Sequence, residues 1–193
     1  MGLVDRVKAI LITPQKEWPA IEAESATPAS LYTGYIIPLA AIPAVAGFVG
    51  MSVFGLRVLG MSVRVPVSRG LTNAVVVYIL ALAGVFVLAL IIDALAPSFG
   101  GQKSQIQALK LAAYSSTASW LAGIFLIIPS LSILSIVGLY SLYLLYLGLP
   151  VMMKSPPDKS VAYTVVVILV AIVLYAVFGV ISSQVSGYGP MMN

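Results

Sequence analysis

Four stretches of this chain contain no Asp, Glu, Lys or Arg: Tyr32–Leu56, Leu71–Ile92, Leu111–Met153 and Ser160–Asn193. About 20 apolar residues of helix cross a hydrocarbon core, so each window is long enough to span a bilayer. Leu111–Met153 is long enough to span twice, with Pro129-Ser130-Leu131-Ser132 as the expected turn. A soluble domain is excluded, because 8% of the residues are charged where about a quarter is usual, and 61% are hydrophobic. The expected fold class is therefore all-α: a polytopic membrane protein with a bundle of five transmembrane helices. The spans are placed near 31–54, 72–96, 106–128, 131–153 and 161–183. A segment at 1–29 precedes them, an extended extracytoplasmic loop at 57–70 joins the first two, and a tail at 184–193 follows.

Lys and Arg set the orientation. One side carries Arg6, Lys8, Lys16, Lys103, Lys110, Lys154 and Lys159, and the other carries Arg57, Arg64 and Arg69. The excess belongs in the cytoplasm, which puts the N-terminus inside and the C-terminus outside. Leu3, Val4, Val7, Ile10 and Leu11 recur at helical spacing opposite Asp5, Arg6 and Lys8. The pattern predicts an amphipathic helix on the membrane surface rather than a cleavable signal peptide, stopped at Thr13-Pro14, with Trp18 as an interfacial anchor. Between the first two spans, Met61, Val63, Val65 and Val67 alternate with Ser62, Arg64, Pro66 and Ser68, the period of a strand, which Pro66 limits to an edge strand or extended loop.

The chain has no Cys and no His. Disulfides, thiolate nucleophiles, imidazole bases and ordinary zinc, haem or iron–sulfur sites are thereby excluded, and no catalytic residue, cofactor or metal site is expected. The ten basic residues form no run, so nucleic acid is not an expected partner. Neither a nucleotide-binding glycine loop nor HExxH occurs, and an intramembrane protease would need a His or a second membrane carboxylate.

Asp93, near the inner end of the second span, is the ionisable residue closest to the apolar interior. The helix C-terminus and the low dielectric both disfavour its charge. Pairing with Lys103 or Lys110, protonation as a hydrogen-bond donor, or a role in handling protons or ions would each resolve this. Tyr114, Ser115, Ser116, Thr117 and Ser119 crowd the third span, and Tyr140, Ser141, Tyr143 and Tyr146 the fourth. Hydroxyls away from water need partners, so these spans are expected to face each other or to line a hydrated cavity. Pro38 and Pro43, among Ala and Gly, mark a possible kink and close backbone approach in the first span, and Pro129 marks the turn before the fourth.

Thr13-Pro14 with Glu17-Trp18-Pro19, Leu31-Tyr-Thr-Gly-Tyr-Ile-Ile-Pro38, Asp93-Ala-Leu-Ala-Pro-Ser-Phe-Gly-Gly101 and Tyr140-Ser-Leu-Tyr-Leu-Leu-Tyr-Leu-Gly-Leu-Pro150 occur in this order. Together they resemble the bacterial branch of the Yip (Ypt-interacting protein) family. The resemblance implies five spans in the inner membrane with a cytoplasmic N-terminus. It implies no settled activity. Eukaryotic relatives are associated with Rab-type GTPases, but their long N-terminal region and Asp-Leu-Tyr-Gly-Pro signature are not found here, so GTPase binding is not carried over. Two functions are expected from the residues: association with membrane lipids, a membrane-protein partner or a second copy of the chain, paired through the extended loop; or a small channel or transporter using Asp93 and the hydroxyls of spans three and four.

Overall fold

The computed structural model describes residues 1–58 and 61–185, with the backbone alone at 56–58 and 61–63. Residues 59–60 of the expected 57–70 loop and the expected 184–193 tail beyond Val185 lie outside the described residues. The chain is all-α apart from one small hairpin. Helices α1 (Leu3–Ile12), α2 (Pro14–Ala23) and α3 (Pro28–Leu31) lead into α4 (Ile37–Phe48). Strands β1 (Leu56–Val58) and β2 (Met61–Val63) pair antiparallel, with Arg57 opposite Ser62. Next come α5 (Val67–Leu95), α6 (Gln105–Ser115), α7 (Thr117–Ala122), α8 (Tyr140–Met153) and α9 (Pro157–Val185).

Among the described residues, four helical stretches are long and apolar enough to cross a membrane: Pro28–Phe54, Val67–Phe99, Pro129–Met153 and Pro157–Val185. The expected third span, 106–128, is not one continuous helix. It is α6, α7 and a 3-10 segment at Gly123–Ile127, with breaks at Ser116 and Gly123. The hydroxyl run causes the first break. Ser115 donates to Leu111 O at 2.6 Å, Ser116 to Ala112 O at 2.8 Å and Thr117 to Tyr114 O at 2.6 Å. Side chains that back-bond to the preceding turn compete with the backbone ladder and bend it.

The period-two stretch is a strand only to Val63, and Val67 begins α5. Pro66 is the N-cap of that helix, a position where its missing N–H costs nothing. The first span is π-helical at Tyr32–Ile36 and Val49–Phe54, on either side of α4 with its Pro38 and Pro43. A Cβ on Gly123 would lie 2.5 Å from Pro43 Cβ, and one on Gly50 would lie 2.0 Å from the Leu126 carbonyl oxygen. Those two glycines let the first span and the 105–127 segment touch backbone to backbone.

Packing is uneven along the bundle axis. Near the N-terminal segment, Trp18, Ile21, Leu109, Leu111, Leu144, Leu149, Met152, Met153 and Tyr163 are all fully or nearly fully buried. Towards the hairpin the helices separate. In α9 the buried residues are Ser160, Tyr163, Thr164 and Val167, and then none until Ser182.

Candidate functional site

The N-terminal segment is a packed part of the bundle rather than a surface float. Helix α2 lies against α8, and Trp18 is fully buried instead of sitting at the interface with its indole N–H wet. The notch that receives it is Gly148, where a Cβ would stand 2.5 Å from Trp18 Cε2 and 2.7 Å from Leu111 Cδ1. Ile10 on α1 is fully buried too, and Tyr140 donates to Leu11 O at 3.1 Å. The amphipathic spacing thus reports a face that meets protein.

Charges fasten this segment. Arg6 is 5% exposed; its Nη1 donates to Glu17 and its Nη2 to Glu24, and its guanidinium stands 5.8 Å from the centre of the Tyr114 ring. Burial alone disfavours the Arg6 charge, but Glu24 and Glu17 outweigh it and raise the pKa above the ordinary value. Tyr114 contacts Tyr35 with ring centres 4.5 Å apart, and the Tyr35 hydroxyl lies 2.7 Å from Thr117 Oγ1. A polar path therefore runs from the N-terminal segment to the break after α6.

Asp93 is not locked by a lysine. Lys110 Nζ donates instead to the carbonyl oxygens of Ile21, at 2.9 Å, and of Glu24, at the end of α2. Those carbonyls are the unpaired ones that any helix end presents, and they attract a cation more cheaply than a carboxylate one helix away. Lys103 is exposed, and Lys154 rather than Lys103 forms an ion pair, with Glu22 at 2.9 Å. Asp93 Oδ1 is buried without a hydrogen-bond partner among the described residues. Next to it the Tyr163 hydroxyl donates to Ile92 O, and the Tyr163 ring stacks on Phe99 at 4.8 Å.

The hydroxyls of the 105–127 segment and of α8 do meet, although mostly without bonding to one another. One bond crosses, from Ser119 N–H to Ser141 Oγ at 2.9 Å. Around it the helices form a cleft of about 840 Å³, open on one side. Ser115, Ser116, Ser119 and Trp120 form one wall, and Leu88, Ile168, Ala171 and Tyr175 of α5 and α9 face them. The remaining wall is the 3-10 helix Pro129–Leu139, running on into α8. A 3-10 helix repeats every three residues, so Ser132, Ser135 and Gly138 lie in one row, which Ser141 extends into α8; all four line the cavity. Among the described residues no Asp, Glu, Lys or Arg lines it, and Asp93 is outside it. Tyr143 and Tyr146 are not among its lining residues and are exposed.

Sequence reasoning had the hydroxyl-rich spans but not the row, because the row exists only at period three. It had no signal for Arg6, Glu17 and Glu24, whose partners lie 11 and 18 residues away.

The chain is similar to the inner membrane protein YohC of Escherichia coli K12, at 29% identity over 117 residues, which is 60% of this chain and 60% of YohC. The protein of the same name from Escherichia coli O6:H1 matches to the same extent. The chain thus covers about 60% of the length of these relatives. No solved structure matches. The Yip1 domain model aligns with residues 8–180, from within α1 to the last turns of α9, so every helix described above falls inside or across it, and the chain belongs to the Yip1 domain family.

Proposed function

We propose that this is a non-catalytic integral membrane protein that acts by associating with lipid through its transmembrane bundle. The observation that carries this reading is the 840 Å³ cleft, walled by apolar side chains and hydroxyls and lined, among the described residues, by no Asp, Glu, Lys or Arg. A pathway for ions needs charge or a ring of carbonyls along it, and a relay for protons needs titratable groups in series. Asp93 stands apart; the other acid within those stretches, Asp158, is in the first turn of α9, and there is no His to pass a proton on. Purified protein in sealed vesicles should give no saturable flux of cations, anions or protons above protein-free vesicles. Robust saturable flux that disappears in Asp93→Asn would reject this reading in favour of transport.

The proposed location is the bacterial inner membrane, as YohC's description gives for that relative. The proposed topology has five crossings, with the interrupted 105–127 segment as the third, a cytoplasmic N-terminus and an extracytoplasmic C-terminus. The Lys/Arg asymmetry supports it. A reporter active only in the cytoplasm should work when fused before Met1 and fail when fused after Asn193. Equal activity at both ends would mean an even number of crossings.

A further inference from the structure

We propose that the cavity is the seat of one anionic glycerophospholipid, with an acyl chain inside it, its ester oxygens on Ser132 and Ser135, and its headgroup at the hairpin face. This rests on the lipid-association reading above and gives it a site and a ligand class.

The volume comes first. The cleft's volume of about 840 Å³ falls within the range of roughly 300–1,000 Å³ that holds a drug-sized ligand, and its open side gives an acyl chain a way in. The cavity runs from the middle of the membrane-spanning helices, at Leu88, Leu145 and Ile168, towards their hairpin end at Ser132, where α9 buries nothing between Val167 and Ser182. A vacant space of this size in hydrocarbon would be filled from the surrounding lipid, and apolar walls suit a chain.

The hydroxyls select what lies at its mouth. Ser115, Ser116 and Ser119 have spent their protons on carbonyls of their own helix, and Ser141 accepts from Ser119 N–H. Ser132 and Ser135 have no hydrogen-bond partner among the described residues. Both are partly buried and one 3-10 turn apart on the cavity wall. A hydroxyl in hydrocarbon without a partner is costly, and two donors one turn apart fit the two ester carbonyls of a diacylglycerol backbone. They sit a few residues from Pro129, at the end of the span where the ester region of a leaflet lies. A second cavity, about 410 Å³, meets the first at Ser132 and reaches Gly70 and Asn73 at the start of α5.

Charge completes the choice. All six acidic residues, Asp5, Glu17, Glu22, Glu24, Asp93 and Asp158, belong to the opposite end of the bundle. The hairpin face carries Arg57, Arg64 and Arg69 and no acid. Arg69 is exposed beside Gly70, without an ion-pair partner among the described residues. A phosphate with no compensating ammonium is the headgroup such a face favours.

Trp120 on the cavity wall supplies the readout. The full chain is reconstituted in phosphatidylcholine vesicles containing increasing fractions of phosphatidylglycerol brominated on one acyl chain, and, separately, of brominated phosphatidylcholine. Quenching is taken as the difference from Trp120→Phe, which removes the contribution of Trp18. A built site saturates at a low fraction of brominated phosphatidylglycerol, about five-fold or more below the fraction of brominated phosphatidylcholine that gives the same quenching. Ser132→Ala with Ser135→Ala should raise the half-saturating fraction about five-fold per hydroxyl lost. Ala171→Phe should fill the cavity and abolish the saturable part. The serine variants remove only oxygen atoms and keep the test decisive should Ala171→Phe not fold. Quenching that grows in proportion to the brominated fraction, identical for both headgroups and unchanged in the serine variants, would overturn the site. Saturable quenching that ignores the headgroup and is unaffected by Arg69→Gln would overturn the anionic assignment. Failure of the broader reading shows up separately, as solute flux in the same vesicles.

Discussion

Arg6→Gln should lower the unfolding free energy in detergent by about 3–5 kcal/mol, the cost of leaving a buried charge without its partner. The reason is Glu17. Its side chain is 11% exposed and faces Arg6 Nη1, so the variant strands a carboxylate in a packed interface. Glu24 on the other branch of the guanidinium is 48% exposed and can turn to water. Glu24→Gln should therefore cost under about 1 kcal/mol, as exposed pairs do. The double variant Arg6→Gln/Glu17→Gln removes both charges and should recover part of the loss, with a coupling of about 0.5–3 kcal/mol in the cycle. Arg6→Lys should not substitute, because one ammonium cannot occupy both branches of the fork that meets two carboxylates. Limited proteolysis adds a local readout: in Arg6→Gln the α1–α2 segment should be cut while α4–α9 remain protected. Unchanged stability with zero coupling to Glu17 would mean that the segment is held by apolar contacts alone.

The bilayer setting of this chain was legible because absence of charge over 20 residues is a local property, and the four long apolar helical stretches among the described residues overlap the charge-free windows. The remaining segment shows where local reading fails. Ser115, Ser116, Thr117 and Ser119 announce hydrogen bonding, but composition does not say to what, and the answer is mostly their own helix, which the bonds break. Ser132, Ser135, Gly138 and Ser141 scatter when turned at the 100° of an α-helix and align at about 120°. Nothing in the sequence states that Pro129–Leu139 is 3-10. Asp93 was expected to find Lys103 or Lys110 because they are near in sequence. In the fold Lys110 faces the end of α2, whose carbonyls no periodicity places there. The amphipathic face of α1 was visible, yet a face that meets lipid headgroups and one that meets a bundle look alike until the partner surface is known. Here the partner surface is carried by α2, α7 and Tyr140, the last two far along the chain.

Trp18 and Gly148 decide between those two readings by experiment. Trp18→Ala empties a site that is fully enclosed and should cost about 3–5 kcal/mol, chiefly through the cavity left behind. An interfacial tryptophan would lose far less, since water and headgroups fill the space. Two effects then compete in Trp18→Phe. The smaller ring gives up contacts, while deletion of the indole N–H removes a buried donor that has no partner and was costing about 1–3 kcal/mol. The net change should be within about 1.5 kcal/mol, much milder than for alanine. From the other side, Gly148→Ala drives a methyl to 2.5 Å from the rigid indole and should destabilise by about 1–3 kcal/mol. Because both changes act on one contact, they must not add: Trp18→Leu should absorb most of the Gly148→Ala penalty, and the double variant should be more stable than the sum of the singles implies. Thermal unfolding of the four proteins in one detergent completes the cycle. Strict additivity, with Trp18→Ala costing less than about 1 kcal/mol, would return Trp18 to the membrane surface and with it the whole N-terminal segment.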